Sequence, residues 1–140
     1  MASTPYPAHL NGACSPQLRE EVAFFQQWGY LVVDDALTSE QVDALRTALD
    51  ATFAQSDEQF IHQLLECDEA FAFLLDNPPV FSRMKAILGE CVQLHSATAR
   101  VTLPGEKDQN WHRDVPWPVA PEGTPYGAIP GQINCGYYLD

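Results

Sequence analysis

QNWHRDVPWP, residues 109–118, decides how the rest of this chain is read. On an extended backbone residues i and i+2 point to the same side, so His112 and Asp114 can offer an imidazole nitrogen and a carboxylate oxygen to one ion. Such a pair is two thirds of the 2-His-1-carboxylate triad that holds non-haem Fe(II) with positions left open. By itself it is weak evidence. Ten aspartates and four histidines in 140 residues give about a one-in-four chance of some H-x-D by accident, so the pair counts only in context. The competing reading is that both side chains merely cap a proline-rich loop.

Upstream of this stretch the pattern is helical. Ser15 before Pro16 is an N-cap with proline at the first helical position, and Leu18, Val22, Phe25 and Trp28 recur at helical spacing until Gly29 stops them. Thr38 with Gln41 three residues later makes a capping box, and Val42, Leu45, Leu49 and Phe53 predict a second amphipathic helix over roughly residues 39–54. Residues 60–75 are helical in pattern, with Glu66, Asp68 and Glu69 as a break point. After Asn77-Pro78-Pro79, the residues Val80, Met84, Ile87 and Leu88 predict a further helix ended by Gly89.

Strand signals come between and after. Tyr30-Leu31-Val32-Val33 is short, apolar and β-branched, closed by Asp34-Asp35. From Cys91 onward Val92, Leu94, Thr98, Val101 and Thr102 predict an extended strand, turned by Pro104-Gly105. Prolines and glycines then prevent regular structure until residues 132–139 read as a final strand. The fold class expected is therefore α+β. It comprises one domain over residues 16–140, after a flexible N-terminal arm of residues 1–15.

Composition supports a globular chain, 46% hydrophobic and 19% charged, without repeats or low-complexity tracts. The net charge of −12, with the seven basic residues scattered singly, argues against nucleic acid or an anionic membrane as partner. No signal peptide or spanning segment is recognised, so a cytoplasmic protein acting on a small-molecule substrate is expected. Cys14, Cys67, Cys91 and Cys135 lie far apart with no CxxC, and buried thiols are expected rather than disulfides or a zinc site.

The order of these features resembles the phytanoyl-CoA dioxygenase-like family. Phe24-Phe25 through Gly29-Tyr30-Leu31-Val32-Val33, then Leu37-Thr38-Ser39-Glu40-Gln41-Val42 and Leu45, is similar to its opening helix, Gly-aromatic strand and capped helix. Pro78-Pro79-Val80 into Ile87-Leu88-Gly89 resembles its next helix. Pro104-Gly105 and Trp111-His112-Arg113-Asp114 resemble the segment carrying its metal-binding H-x-D. These landmarks run in order over most of the chain.

The resemblance implies helices packed on a double-stranded β-helix, or jelly roll, and Fe(II)- and 2-oxoglutarate-dependent oxidation with ascorbate as an accessory. It makes His112 and Asp114 metal ligands. Because Asp114 is present where halogenating relatives carry a small residue, it implies hydroxylation of a small organic or acyl substrate. The family also uses a distal histidine ligand and an arginine that pairs with 2-oxoglutarate, yet this sequence has no histidine after His112 and no lysine or arginine after Arg113. A jelly roll needs about eight strands and about three are legible here, so the chain is expected to carry the first half of such a domain. Completion by a partner chain, with self-association through unpaired strand edges, is a second reading. A non-catalytic binding or scaffold domain, or a pseudo-enzyme, is the third.

Other residues take lesser roles. Trp111 and Trp117 flank the pair and either wall its pocket or pack a barrel rim. Arg113, between the ligands on a strand, points away from them. Asn134 and Tyr138 share a face of the final strand and could hydrogen-bond the cosubstrate. His95 is a candidate cosubstrate contact or stand-in ligand, with a partly buried structural histidine as the plainer reading. Arg100 is expected in a structural salt bridge, and His9 and His62 are expected to face solvent.

Overall fold

The computed structural model describes residues 15–107, 109–112, 114 and 131–139. Three helices run over Pro16–Trp28 (α1), Ser39–Phe53 (α2) and Pro78–Leu88 (α3), and two short strands over Phe60–Ile61 (β1) and Ala99–Arg100 (β2). Two 3-10 segments, Leu64–Glu66 and Glu69–Leu75, lie between β1 and α3. Mixed helix with a two-stranded antiparallel sheet is compatible with the α+β class. The chain divides into two compact units. Described residues of the first fall within Met1–Asp34, Pro78–Val92 and Arg113–Cys135, and those of the second within Asp35–Asn77, Gln93–His112 and Gly136–Asp140.

The helices begin and end where local chemistry dictates. Ser15 Oγ accepts from the Leu18 backbone N–H at 3.2 Å, and α1 stops at Gly29, whose φ of 79° is a conformation that costs a residue without a Cβ little. In α2, Thr38 Oγ1 accepts from Gln41 N at 3.2 Å while Gln41 Oε1 accepts from Thr38 N at 2.9 Å, satisfying two N–H groups that the first turn would leave without partners. At the same helix start, hydrogen bonds from its own backbone N–H and from the Thr38 hydroxyl hold the Glu40 carboxyl below its ordinary range. A depressed folded-state pKa means a contribution present above the unfolded pKa and lost as pH falls, so acid loosens this cap. Thr38→Ala is expected to cost about 1 kcal/mol in urea unfolding. Glu40 in that variant should titrate at higher pH by carboxylate NMR, and an unmoved Glu40 would mean the hydroxyl is not what holds it.

In the first unit α1 packs on α3. Val22, Ala86 and Ile87 are buried, and Leu18, Phe25 and Ile133 close over them. Arg83 Nη2 on α3 donates to Glu21 Oε1 on α1 at 2.7 Å, and its Nη1 donates to the Pro79 carbonyl at 2.5 Å, so one guanidinium ties two elements through its fork of donors. Phe24 meets Trp28 one turn on at a ring separation of 6.4 Å and Tyr30 edge-on at 5.3 Å.

In the second unit Leu45, Ala48, Leu64 and Phe71 form the core, with Leu37, Leu74 and Leu139 among the side chains packed against it. β1 and β2 pair antiparallel, Phe60 opposite Arg100 and Ile61 opposite Ala99. An isolated bridge joins Gln63 to Ala97. Asn77, 4% exposed, is the buried polar residue here; its Nδ2 donates to the Ala36 carbonyl at 3.0 Å and to Tyr137 Oη at 3.3 Å. Those partners are what make its burial tolerable.

Several expectations need correction. Residues 60–75 are not one helix: Phe60 and Ile61 join the ribbon, and the chain breaks at Asp68, whose carboxylate accepts from Ala70 N at 2.8 Å to start the second 3-10 segment. Residues 30–33 and 132–139 form no ladder among the described residues, and the strand expected from Cys91 to Thr102 shortens to β2. A strand exists only where a partner supplies its hydrogen bonds, and β-branched composition does not provide one. Cys67, Cys91 and Cys135 are exposed rather than buried, because each lies on a connecting segment beside, not within, the two cores. Residues 1–14 of the expected N-terminal arm, with His9 and Cys14, lie outside the described residues, as do Arg113 and Trp117.

Candidate functional site

His112 belongs to the second unit and Asp114 to the first, so each is taken with its own neighbours. His112 is exposed, and its Nδ1 lies 2.8 Å from the Asn110 carbonyl oxygen. A carbonyl can only accept, so in the neutral ring Nδ1 carries the proton and Nε2 the lone pair. Donation from the non-ligating nitrogen to a carbonyl is the arrangement that fixes tautomer and ring orientation in metal-binding histidines. Asp114, also exposed, accepts a hydrogen bond at Oδ2 from Asn134 Nδ2. Asn134 Oδ1 in turn accepts from Gln132 Nε2 at 3.1 Å.

The remaining predicted residues are placed as follows. Trp111 is fully exposed, at 104%, and so walls no cavity within its unit. Tyr138 is 94% exposed. Because residues 132–139 are not a strand, alternation no longer puts Tyr138 and Asn134 on one face, and they fall in different units. His95 is exposed rather than partly buried, with Nδ1 3.4 Å from Ser96 Oγ. Arg100 pairs with Glu106 at 3.6 Å, the structural salt bridge expected of it. His62 is exposed, and its ring lies tilted against that of Phe60, centroids 4.6 Å apart. Among the described residues, no three His, Cys, Asp or Glu side chains gather to hold a metal ion.

A neutral imidazole nitrogen and a carboxylate oxygen are each a ligand type that divalent cations take, and each of the two side chains has a hydrogen bond within its own unit. What the sequence did not signal is the support. The Asn110 carbonyl is a backbone group on an irregular segment, and nothing in a residue's identity announces it. Gln132 and Asn134 carry a faint signal in their i, i+2 spacing, although the bond to Asp114 spans twenty positions. No protein-family model matches the chain, and neither does a curated protein or a solved structure. No helix among the described residues is long and apolar enough to cross a membrane.

Proposed function

We propose that this chain carries the His-x-Asp part of the metal site of an Fe(II)- and 2-oxoglutarate-dependent oxygenase, of phytanoyl-CoA dioxygenase-like type, that hydroxylates a small organic or acyl substrate. The observation that supports it most is His112, whose Nδ1–H is committed to the Asn110 carbonyl so that Nε2 is the donor nitrogen. Asp114 supplies the negative charge that a hard divalent ion requires. Bound Fe(II) with 2-oxoglutarate supplies the oxygen activation for hydroxylation. The protein's own part is to hold the imidazole and carboxylate at fixed orientation, with Asn134, Tyr138 and His95 as candidate polar contacts to the cosubstrate.

The fold reading that accompanies this is part of a jelly roll with helices outside. A two-stranded ribbon with Leu94, Val101 and Leu103 exposed in the same unit is what a sheet with unpaired edges leaves at its surface. Self-association along those edges belongs to the same proposal. The second reading, a non-catalytic binding or scaffold domain, is favoured by the full exposure of Trp111, which leaves His112 without a walled pocket from that neighbour.

Anaerobic titration of the full chain with Fe(II) and 2-oxoglutarate separates the two. The oxygenase reading expects a weak visible charge-transfer band that disappears in Asp114→Ala. A chain that binds Fe(II) no better than its His112→Ala, Asp114→Ala variant is a scaffold.

A further inference from the structure

Asp114, Asn134 and Gln132 lie in one unit and form one hydrogen-bond chain, Gln132 Nε2 donating to Asn134 Oδ1 and Asn134 Nδ2 donating to Asp114 Oδ2. The contact with Asp114 sets the orientation of the Asn134 amide, and the contact with Gln132 agrees with it. A carboxylate can only accept, so the amide must turn its NH2 toward Asp114, and that leaves its oxygen for the Gln132 donor. Flipping the group would set oxygen against the carboxylate.

We infer that Asn134 is a positioning residue for Asp114: its amide, steadied by Gln132, fixes the rotation of the carboxylate toward a divalent cation. This rests on the metal-site reading and adds a residue to it. Asp114 is exposed, and the terminal torsion of an aspartate is broad, so each contact to the carboxylate narrows the rotations it samples. A carboxylate has about four lone-pair sites and the amide uses one, so hydrogen bond and cation are compatible. A neutral donor has a second merit. Lysine or arginine at this position would also hold the group, but would cancel the charge that attracts the ion. In this role Asn134 acts on the ligand, and through it on the metal, without touching the cation.

The test uses the full chain with Co(II) alone as probe, in wild type and in Asn134→Ala, Asn134→Leu, Asn134→Gln, Gln132→Ala and Asp114→Ala. Asn134→Ala and Asn134→Leu are expected to weaken Co(II) binding about tenfold, the lower end of what outer hydrogen-bond partners contribute, because this one is exposed. Asn134→Gln keeps the amide and should recover most of the loss, while Gln132→Ala should give a smaller fraction of it. Without metal, one Asn134 side-chain amide proton in the nitrogen-15 correlation spectrum should lie downfield of ordinary exposed amides and move back in Asp114→Ala. If Asp114→Ala weakens Co(II) but the Asn134 variants bind like wild type, the positioning role is wrong and the metal site stands. If wild type and Asp114→Ala bind Co(II) equally, the metal-site reading falls and takes this inference with it. Loss of binding that tracks loss of thermal stability, with no rescue by glutamine, would make Asn134 merely structural.

Discussion

Replacing His112 and Asp114 together by alanine is expected to weaken Fe(II) binding by at least about a hundredfold, more than loss of any hydrogen-bond partner behind them, because each would contact the ion directly. The two residues contribute differently. His112→Ala removes the imidazole whose Nδ1–H is held by the Asn110 carbonyl. Asp114→Asn keeps the shape of the side chain and removes its charge, and the Asn134 amide would then face an amide in place of a carboxylate. Loss in Asp114→Asn close to that in Asp114→Ala would say that charge dominates; a much smaller loss would say that oxygen donation suffices. Calorimetric titration under argon measures all four variants on one scale, with circular dichroism confirming that each is folded. Equal affinity in wild type and double variant would leave His112 and Asp114 as loop residues and favour the scaffold reading.

The candidate pair stood out in the sequence because its two members lie in one short stretch, although no ladder is described there to make spacing report a shared face. The groups behind them did not stand out. Asn134 is far along the chain from Asp114, and sequence spacing suggested a different partner for it, Tyr138, on an assumed strand. That assumption failed for a physical reason. Period-two alternation reports a face only when the backbone is extended and paired, and residues 132–139 are described without a ladder.

The same division runs through the fold. Helices close their hydrogen bonds within themselves, so Ser15, Thr38, Gly29 and Gly89 were enough to mark where they begin and end. Strands close theirs with distant residues. Nothing local announces that Phe60 pairs with Arg100, or that Ile61 pairs with Ala99, and the helical spacing of residues 60–75 was overridden by that pairing. The break at Asp68 was legible because an aspartate that caps a following turn does so through its own neighbours.

Phe71→Ala is expected to destabilise the protein by about 3–5 kcal/mol, a large share of the 5–15 kcal/mol that holds a typical domain together. Phe71 is 1% exposed and packs with Leu45, also 1% exposed, in the core of the second unit. It sits in the 3-10 segment Glu69–Leu75, where hydrogen-bond geometry is poorer than in an α-helix, so burial of this ring rather than the backbone holds the segment in place. Phe71→Leu, which keeps much of the volume, should cost about 1–2 kcal/mol. Urea unfolding followed by circular dichroism reads both as a lower midpoint at unchanged slope. A cost below about 1 kcal/mol for alanine would contradict a packed core at this position. The consequence extends along the chain. Leu139 packs on this cluster and Tyr137 Oη donates to the Leu74 carbonyl at 3.5 Å, so both are seated on the segment that Phe71 anchors. The side-chain NMR signals of Tyr137 and Leu139 should therefore move toward their unfolded positions in Phe71→Ala, and much less in Phe71→Leu, because it is their side chains that rest on this segment.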